Sequence, residues 1–184
     1  MRERRNYKPR VKSEFDQKII DIRRVARVVA GGRRFSFRVS IVVGNKKGEV
    51  GVGMGKATDT ALAIEKAARM AKKNRIKVNL TENNSIPHEI EAKFTQAQIS
   101  IKPAREGRGL VAGSSLRTVL YLAGVNDVVA KIFSRSKNKL NIAMATIKAL
   151  KELDGTDYAE NKEVKRKKEK DKKEDKKSSV KKSE

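Results

Sequence analysis

The sequence has no cysteine and no tryptophan, a single histidine, and only three prolines, three tyrosines and five phenylalanines in 184 residues. Without cysteine there is no disulfide framework, Fe–S cluster, zinc finger or thiol nucleophile. His88 on its own supplies neither a histidine-based triad nor most transition-metal sites. No cofactor, no metal, no catalytic residue and no small-molecule substrate is therefore expected. Aromatic residues at 4% argue against single-strand binding carried mainly by stacking. Long apolar runs are missing as well. The longest, Val119 to Val125, falls far short of the roughly 18 residues a membrane span requires. The basic start, residues 1–10, is not followed by the apolar stretch of a signal peptide. These absences predict a soluble, cytoplasmic protein with no membrane partner.

What is abundant is positive charge: 45 Lys and Arg against 22 Asp and Glu, a net +23. A polyanion is the partner this balance implies. The charge is uneven along the chain. Residues 162–184 supply +6 with two valines as their apolar content, too little burial to offset the entropy of ordering. The polar stretch Thr81-Glu82-Asn83-Asn84-Ser85-Ile86-Pro87 divides the rest, because Pro87 biases Ile86 toward extended backbone. The sequence thus predicts a basic flexible arm over 1–14, a first unit over 15–80 and a linker over 81–87. A second unit over 88–154 and a Lys-rich disordered tail over 155–184 follow.

In the first unit, Phe35, Phe37, Val39, Ile41 and Val43 alternate with Ser36, Arg38, Ser40 and Val42, the period of a half-buried strand with the phenylalanines on its core face. Ile19 to Val29 also reads as extended, and Gly31-Gly32 between the two segments supplies the positive φ of a hairpin turn. Arg23, Arg24, Arg27, Arg33 and Arg34 crowd that hairpin, five arginines within twelve residues. Glycines at the tip admit a phosphate chain closely while guanidiniums make bidentate contacts. A second turn carries Lys46 and Lys47. It leads to Val50-Gly51-Val52-Gly53-Met54-Gly55-Lys56, a strand with one face bare of side chains. Such a face admits either a helix or a nucleic-acid backbone. A phosphate-binding P-loop is excluded there, since Val50 replaces its first glycine and Ala57 its hydroxyl residue. Thr58 or Asp59 would cap a helix with a stripe of Ala61, Ile64, Ala68 and Ala71, and Lys66, Arg69, Lys72 and Lys73 line its later turns. This β-β-β-α outline, with basic loops and helix, is that of a double-stranded-RNA binder reading shape through phosphate and 2′-OH contacts.

The second unit reads as strands over 88–97 and 98–104, then a loop with Gly107, Arg108 and Gly109. Gly107, Gly109 and Ala112 formally fit a dinucleotide fingerprint with Asp127 downstream. Pro103 and several polar residues separate them from the strand, however, whereas a dinucleotide turn follows its strand directly. Ser114 or Ser115 would cap a helix buried through Leu116, Val119, Leu120 and Ala123 and ended by Gly124. Arg117 near its start opposes the helix dipole and should answer a partner's carboxylate or phosphate. A strand at 127–134 follows. Arg135, Lys137 and Lys139 make a basic turn, and a last helix is buried through Ile142, Ala145, Ile147, Ala149 and Leu150. The fold class is α+β, a β-β-β-α module followed by a β-β-α-β-α module.

Several ordered motifs, FSFRVSIVVGN, the G-x-V-G-x-G-x-G-K-A run, P-A-x-E-G-x-G-L-V-A-G and L-A-G-V-x-D-V-x-A-K-x-F-S-R-S, resemble the bacterial small-subunit ribosomal protein number five family over residues 15–153. The resemblance implies a double-stranded-RNA-binding-like module, then a second module of that family's own domain-two type. It implies a structural role in the small ribosomal subunit, with 16S rRNA as partner, head held against body, and translational accuracy served through contact with ribosomal protein four. Ribosomal protein eight and mRNA where it enters the subunit are further implied partners. By resemblance, the hairpin from Arg24 to Arg34 reaches rRNA, and Gly107, Arg108, Gly109 and Arg117 face protein four. Ser114-Ser115 departs from the small Gly-Gly pair common in relatives, and Arg108 from a neutral residue. The alternative is a free double-stranded-RNA-binding or RNA chaperone protein. That reading explains the charge but not the low-charge helix faces of the second unit. A small-molecule kinase, suggested by fold analogy alone, finds no acid/base or metal-ligand cluster.

Overall fold

The computed structural model describes residues 14–153, so the expected tail and all of the expected arm except Glu14 lie outside the described residues. Strands β1 (Asp16–Val29), β2 (Gly32–Gly44), β3 (Glu49–Ala57) and β4 (Arg75–Lys77) form one antiparallel sheet in the order β1-β2-β3-β4, with helix α1 (Thr60–Lys73) across one face. A second sheet, ordered β5-β6-β8-β7, is built from β5 (Ile90–Phe94), β6 (Ala97–Pro103), β7 (Leu110–Val111) and β8 (Val128–Ile132). Helix α2 (Ser114–Ala123) joins β7 to β8, which run parallel, and α3 (Lys139–Glu152) is the last element among the described residues. The α+β order agrees with the sequence expectation, with β4 and β7 as additions. Segments of three and two residues are too short to show a period.

Helices α2 and α3 lie between the two sheets, touching β1 to β3 on one side and the second sheet on the other. One apolar core runs through all of them, from Val42, Val50 and Val52 through Leu116, Val119, Leu120 and Leu150 to Ile99, Ile101 and Val128. The half-buried strand expected at 35–43 is therefore corrected. Near Gly44, β2 is buried on both faces, and Ser40 and Val42 on the supposed open side are as closed as Ile41. At the other end Phe35 leaves the core altogether. Ile86, in the expected linker, is 3% exposed and packs into this shared core.

The bare face of β3 meets a helix, not a nucleic acid. A Cβ on Gly51, Gly53 or Gly55 would collide with the backbone of Ala71, Ala67 or Ala63 respectively. The buried stripe of α1 is accordingly Ala63, Ala67 and Ala71; of the expected stripe Ala71 is buried, Ile64 and Ala68 are half-buried, and Ala61 is exposed, a correction to its phase. The expected stripes of α2 and α3 are buried as read. Their caps differ. Gly113, not a serine, holds the N-cap of α2 without a side-chain bond, and Asp59 caps α1 likewise without one. Gly124 ends α2 in the left-handed region at φ 84°.

Candidate nucleic-acid interface

Strand register sorts the basic residues by face. Arg23 stands opposite Arg38, Arg38 opposite Lys56, and Arg27 opposite Arg34. Residues directly opposite share a face, so these five cations lie together on the side of the sheet away from α1. Like charges in such positions repel and destabilise. The acid that reaches this face is Asp21, which accepts from Arg23 Nε at 2.6 Å and also meets Lys139 Nζ at 3.7 Å. That second contact brings the turn bearing Arg135 and Lys137, both exposed, up beside β1. Arg38 extends the basic set expected from sequence, and Lys139 of the expected basic turn joins it. Register is the signal for Arg38, because its even position matches Arg34 and Ser36 along β2.

Pairing of β2 with β3 ends at Phe37 and Ala57, so beyond Arg24 the hairpin continues as a two-stranded ribbon. Residues 24–36 of this ribbon hold four arginines and no acid. The turn residues are Ala30 and Gly31, with Gly31 at φ 84° and Gly32 at φ 148°. Added Cβ atoms there would meet nothing within 4 Å, so backbone conformation rather than space requires glycine. Arg24 and Arg33 occupy the opposite face of the ribbon from Arg27 and Arg34.

The other expected contacts are not part of this surface. Lys66, Arg69, Lys72 and Lys73 ride on α1, on the far side of the sheet, and Arg69 pairs with Glu65 at 2.9 Å. Lys46 and Lys47 sit at the opposite end of β2 from the ribbon tip, roughly 40 Å away at strand rise. Lys46 serves the fold there. Its amide donates to Leu122 O at 3.0 Å and its ammonium pairs with Asp16 at 2.7 Å, above the Tyr121 ring. The hydrogen bond and charge of Asp16 raise the Lys46 pKa above its ordinary value.

Gly107 and Gly109 adopt φ 80° and 70° in an open loop leading through β7 to α2. Asp127 binds the loop itself, its Oδ1 accepting from the Gly109 amide at 2.7 Å, which leaves no dinucleotide role for the pair. Arg108 and Arg117 are exposed at this end of the second sheet, where α2 begins with no acidic residue in its first turn. Among the described residues no group of three or more His, Asp or Glu could hold a metal ion. None of the helices described is long and apolar enough to cross a membrane.

Fold and charge together define a basic, two-sheet α+β protein whose cations gather on an acid-poor strand face and the ribbon beyond it. The chain belongs to the ribosomal protein S5 family: residues 15–79 match "Ribosomal protein S5, N-terminal domain" and residues 92–163 match "Ribosomal protein S5, C-terminal domain". It is 48% identical over 141 residues to "Small ribosomal subunit protein uS5" of Thermus thermophilus, covering 77% of this chain and 86% of that one. The uS5 protein of Mycoplasmopsis agalactiae is 46% identical over 141 residues, 77% of this chain and 61% of its own. The "uS5c" protein of Cyanophora paradoxa is 46% identical over 142 residues, 77% of this chain and 83% of its own. The family is one of structural ribosomal proteins, not of enzymes.

Proposed function

We infer that this chain is a cytoplasmic structural constituent of the small ribosomal subunit that binds 16S rRNA through the strand-borne cations and the arginine ribbon. The observation that carries the reading is the row Arg23, Arg38 and Lys56, with Arg27 and Arg34 beside it. Three strands place these charges against one another, and among the described residues Asp21 is the acid paired with them. A phosphate backbone entering that face relieves the repulsion and releases its own counterions. Phosphate contacts position the protein, and the rigid sheet supplies the shape that fits one RNA site.

The second sheet serves protein contacts in this reading. Arg108 and Arg117 flank an open loop and an α2 start with no side-chain cap, a surface suited to carboxylates of ribosomal protein four. Binding RNA with one half of a continuous core and protein with the other is how the chain would hold head against body and support accuracy. Ribosomal protein eight and incoming mRNA are its further proposed neighbours. As a test, charge reversal at Arg33 and Arg34 is compared with reversal at Lys176 and Lys177 in 16S rRNA filter binding across salt. The ribbon pair should weaken binding far more. Equal losses would reduce the charge to bulk attraction, and absence of the chain from small subunits washed at moderate salt would overturn the reading.

A further inference from the structure

Phe35 is a large aromatic residue at a place where, among the described residues, no second layer covers the strand. It is 46% exposed and belongs to neither apolar core. Its strand neighbour on one side is Ala26, too small to cover a ring, and on the other side β3 has already ended. The group that covers it is Arg24, on the same face two positions off in register, with its guanidinium carbon 3.7 Å from the ring centroid. The guanidinium thus lies over the ring, and among the described residues none accepts a hydrogen bond from it. A guanidinium held this way presents its outer face as a platform of base-sized area, with N–H donors around the rim.

Resting on the RNA-binding reading above, we propose that Arg24 and Phe35 form a stacking site for one unpaired RNA base, giving the ribbon a preference for a bulged or looped nucleotide over continuous duplex. A flipped base stacks on the guanidinium plane, as bases do on arginine and aromatic faces. Arg33, on the same face of the ribbon, lies where it can take the adjoining phosphate. The ring's part is to hold the guanidinium flat, which neither a lysine at 24 nor an aliphatic residue at 35 reproduces.

The test uses the full chain and two RNA duplexes of one sequence, one carrying a single extrahelical 2-aminopurine. Wild type should bind the bulged duplex about tenfold more tightly than the plain one and quench the 2-aminopurine fluorescence. Arg24→Lys keeps the charge and Phe35→Leu keeps an apolar side chain outside both cores. Both should lose the preference and the quenching, the affinity for the bulged duplex falling to that for the plain one. Equal wild-type affinity for the two RNAs, or a preference that survives Arg24→Lys, overturns the stacking site and leaves the RNA-binding reading standing. A Phe35→Leu protein weakened equally toward both RNAs would show that the ring only supports the ribbon, and this too overturns it. Binding to neither RNA would overturn the RNA-binding reading, and the stacking site with it.

Discussion

Replacing Gly53 by alanine tests whether α1 is seated on the glycine face of β3. The new Cβ would lie 2.9 Å from Ala71 Cα and closer still to Ala67 O and Ala71 N, where ordinary contact is 3.4–4 Å. Backbone atoms cannot rotate away as a side-chain tip does, so strand and helix must part by about 1 Å, enough to forfeit a quarter to a half of each contact's dispersion well. Gly51 and Gly55 fix the helix on either side by the same close approach, so the displacement spreads along the contact of Ala63, Ala67 and Ala71 with Val39, Ile41 and Val43. Overpacking of this kind costs about 1–3 kcal/mol, and the rigidity of the site argues for the upper figure. An opposing effect is real. Gly53 has no positive φ, so alanine also reduces unfolded-chain entropy and returns about 0.4–1 kcal/mol. The net expectation is a loss of about 2 kcal/mol, read as a lower urea midpoint with unchanged slope in circular-dichroism unfolding. Gly113→Ala is the internal control, since its nearest neighbour, Ile132 Cδ1, is at 3.7 Å and its φ is −90°. If Gly53→Ala unfolds at the same urea concentration as Gly113→Ala, the close seating of α1 is refuted.

Arg38→Gln should separate function from stability. Removing the middle cation of the Arg23–Arg38–Lys56 row relieves two repulsive cross-strand pairs, raising stability by about 0.2–1 kcal/mol in urea unfolding. It should also weaken RNA binding and lower the salt slope by about one, and a destabilised variant with an unchanged slope would contradict this placement. For the Lys46–Asp16 pair the sign follows from a folded pKa raised above the ordinary 10.5. Its stabilisation is complete below pH 10.5 and is lost as pH rises through the higher folded value. Thermal unfolding from pH 9 to 12 should therefore fall less steeply for Asp16→Asn than for wild type, and parallel curves would show that the pair contributes nothing.

Large apolar residues made α2 and α3 legible, because Leu116, Leu120, Ile142 and Leu150 can face only a core. In α1 alanines occupy several faces, so composition hides the phase, and what sets it is the glycine row on a different element. Alternation along β2 also shows no sign of where its covering layers begin and end. Val42 is closed by α2, whose Leu122 approaches Gly44, while Phe35 keeps the alternating pattern past the last residue of β3. The basic site divides in the same way. Clustering along the chain exposed the arginine hairpin, but whether two cations meet one ligand depends on parity across strands. Arg24 and Arg23 are neighbours in sequence and lie on opposite faces, whereas Arg23 and Lys56 are 33 positions apart and share one. Charge summed over a chain measures attraction to any polyanion, and only register converts it into surfaces. The sheet carries its row of strand cations on the side away from α1 and a single stacked guanidinium on the other face of the ribbon. The first can grip a phosphate backbone in any sequence. On the proposed stacking reading the second would respond to whether a base is free, adding a local preference to the fit of the sheet's shape while affinity rests on the many strand cations.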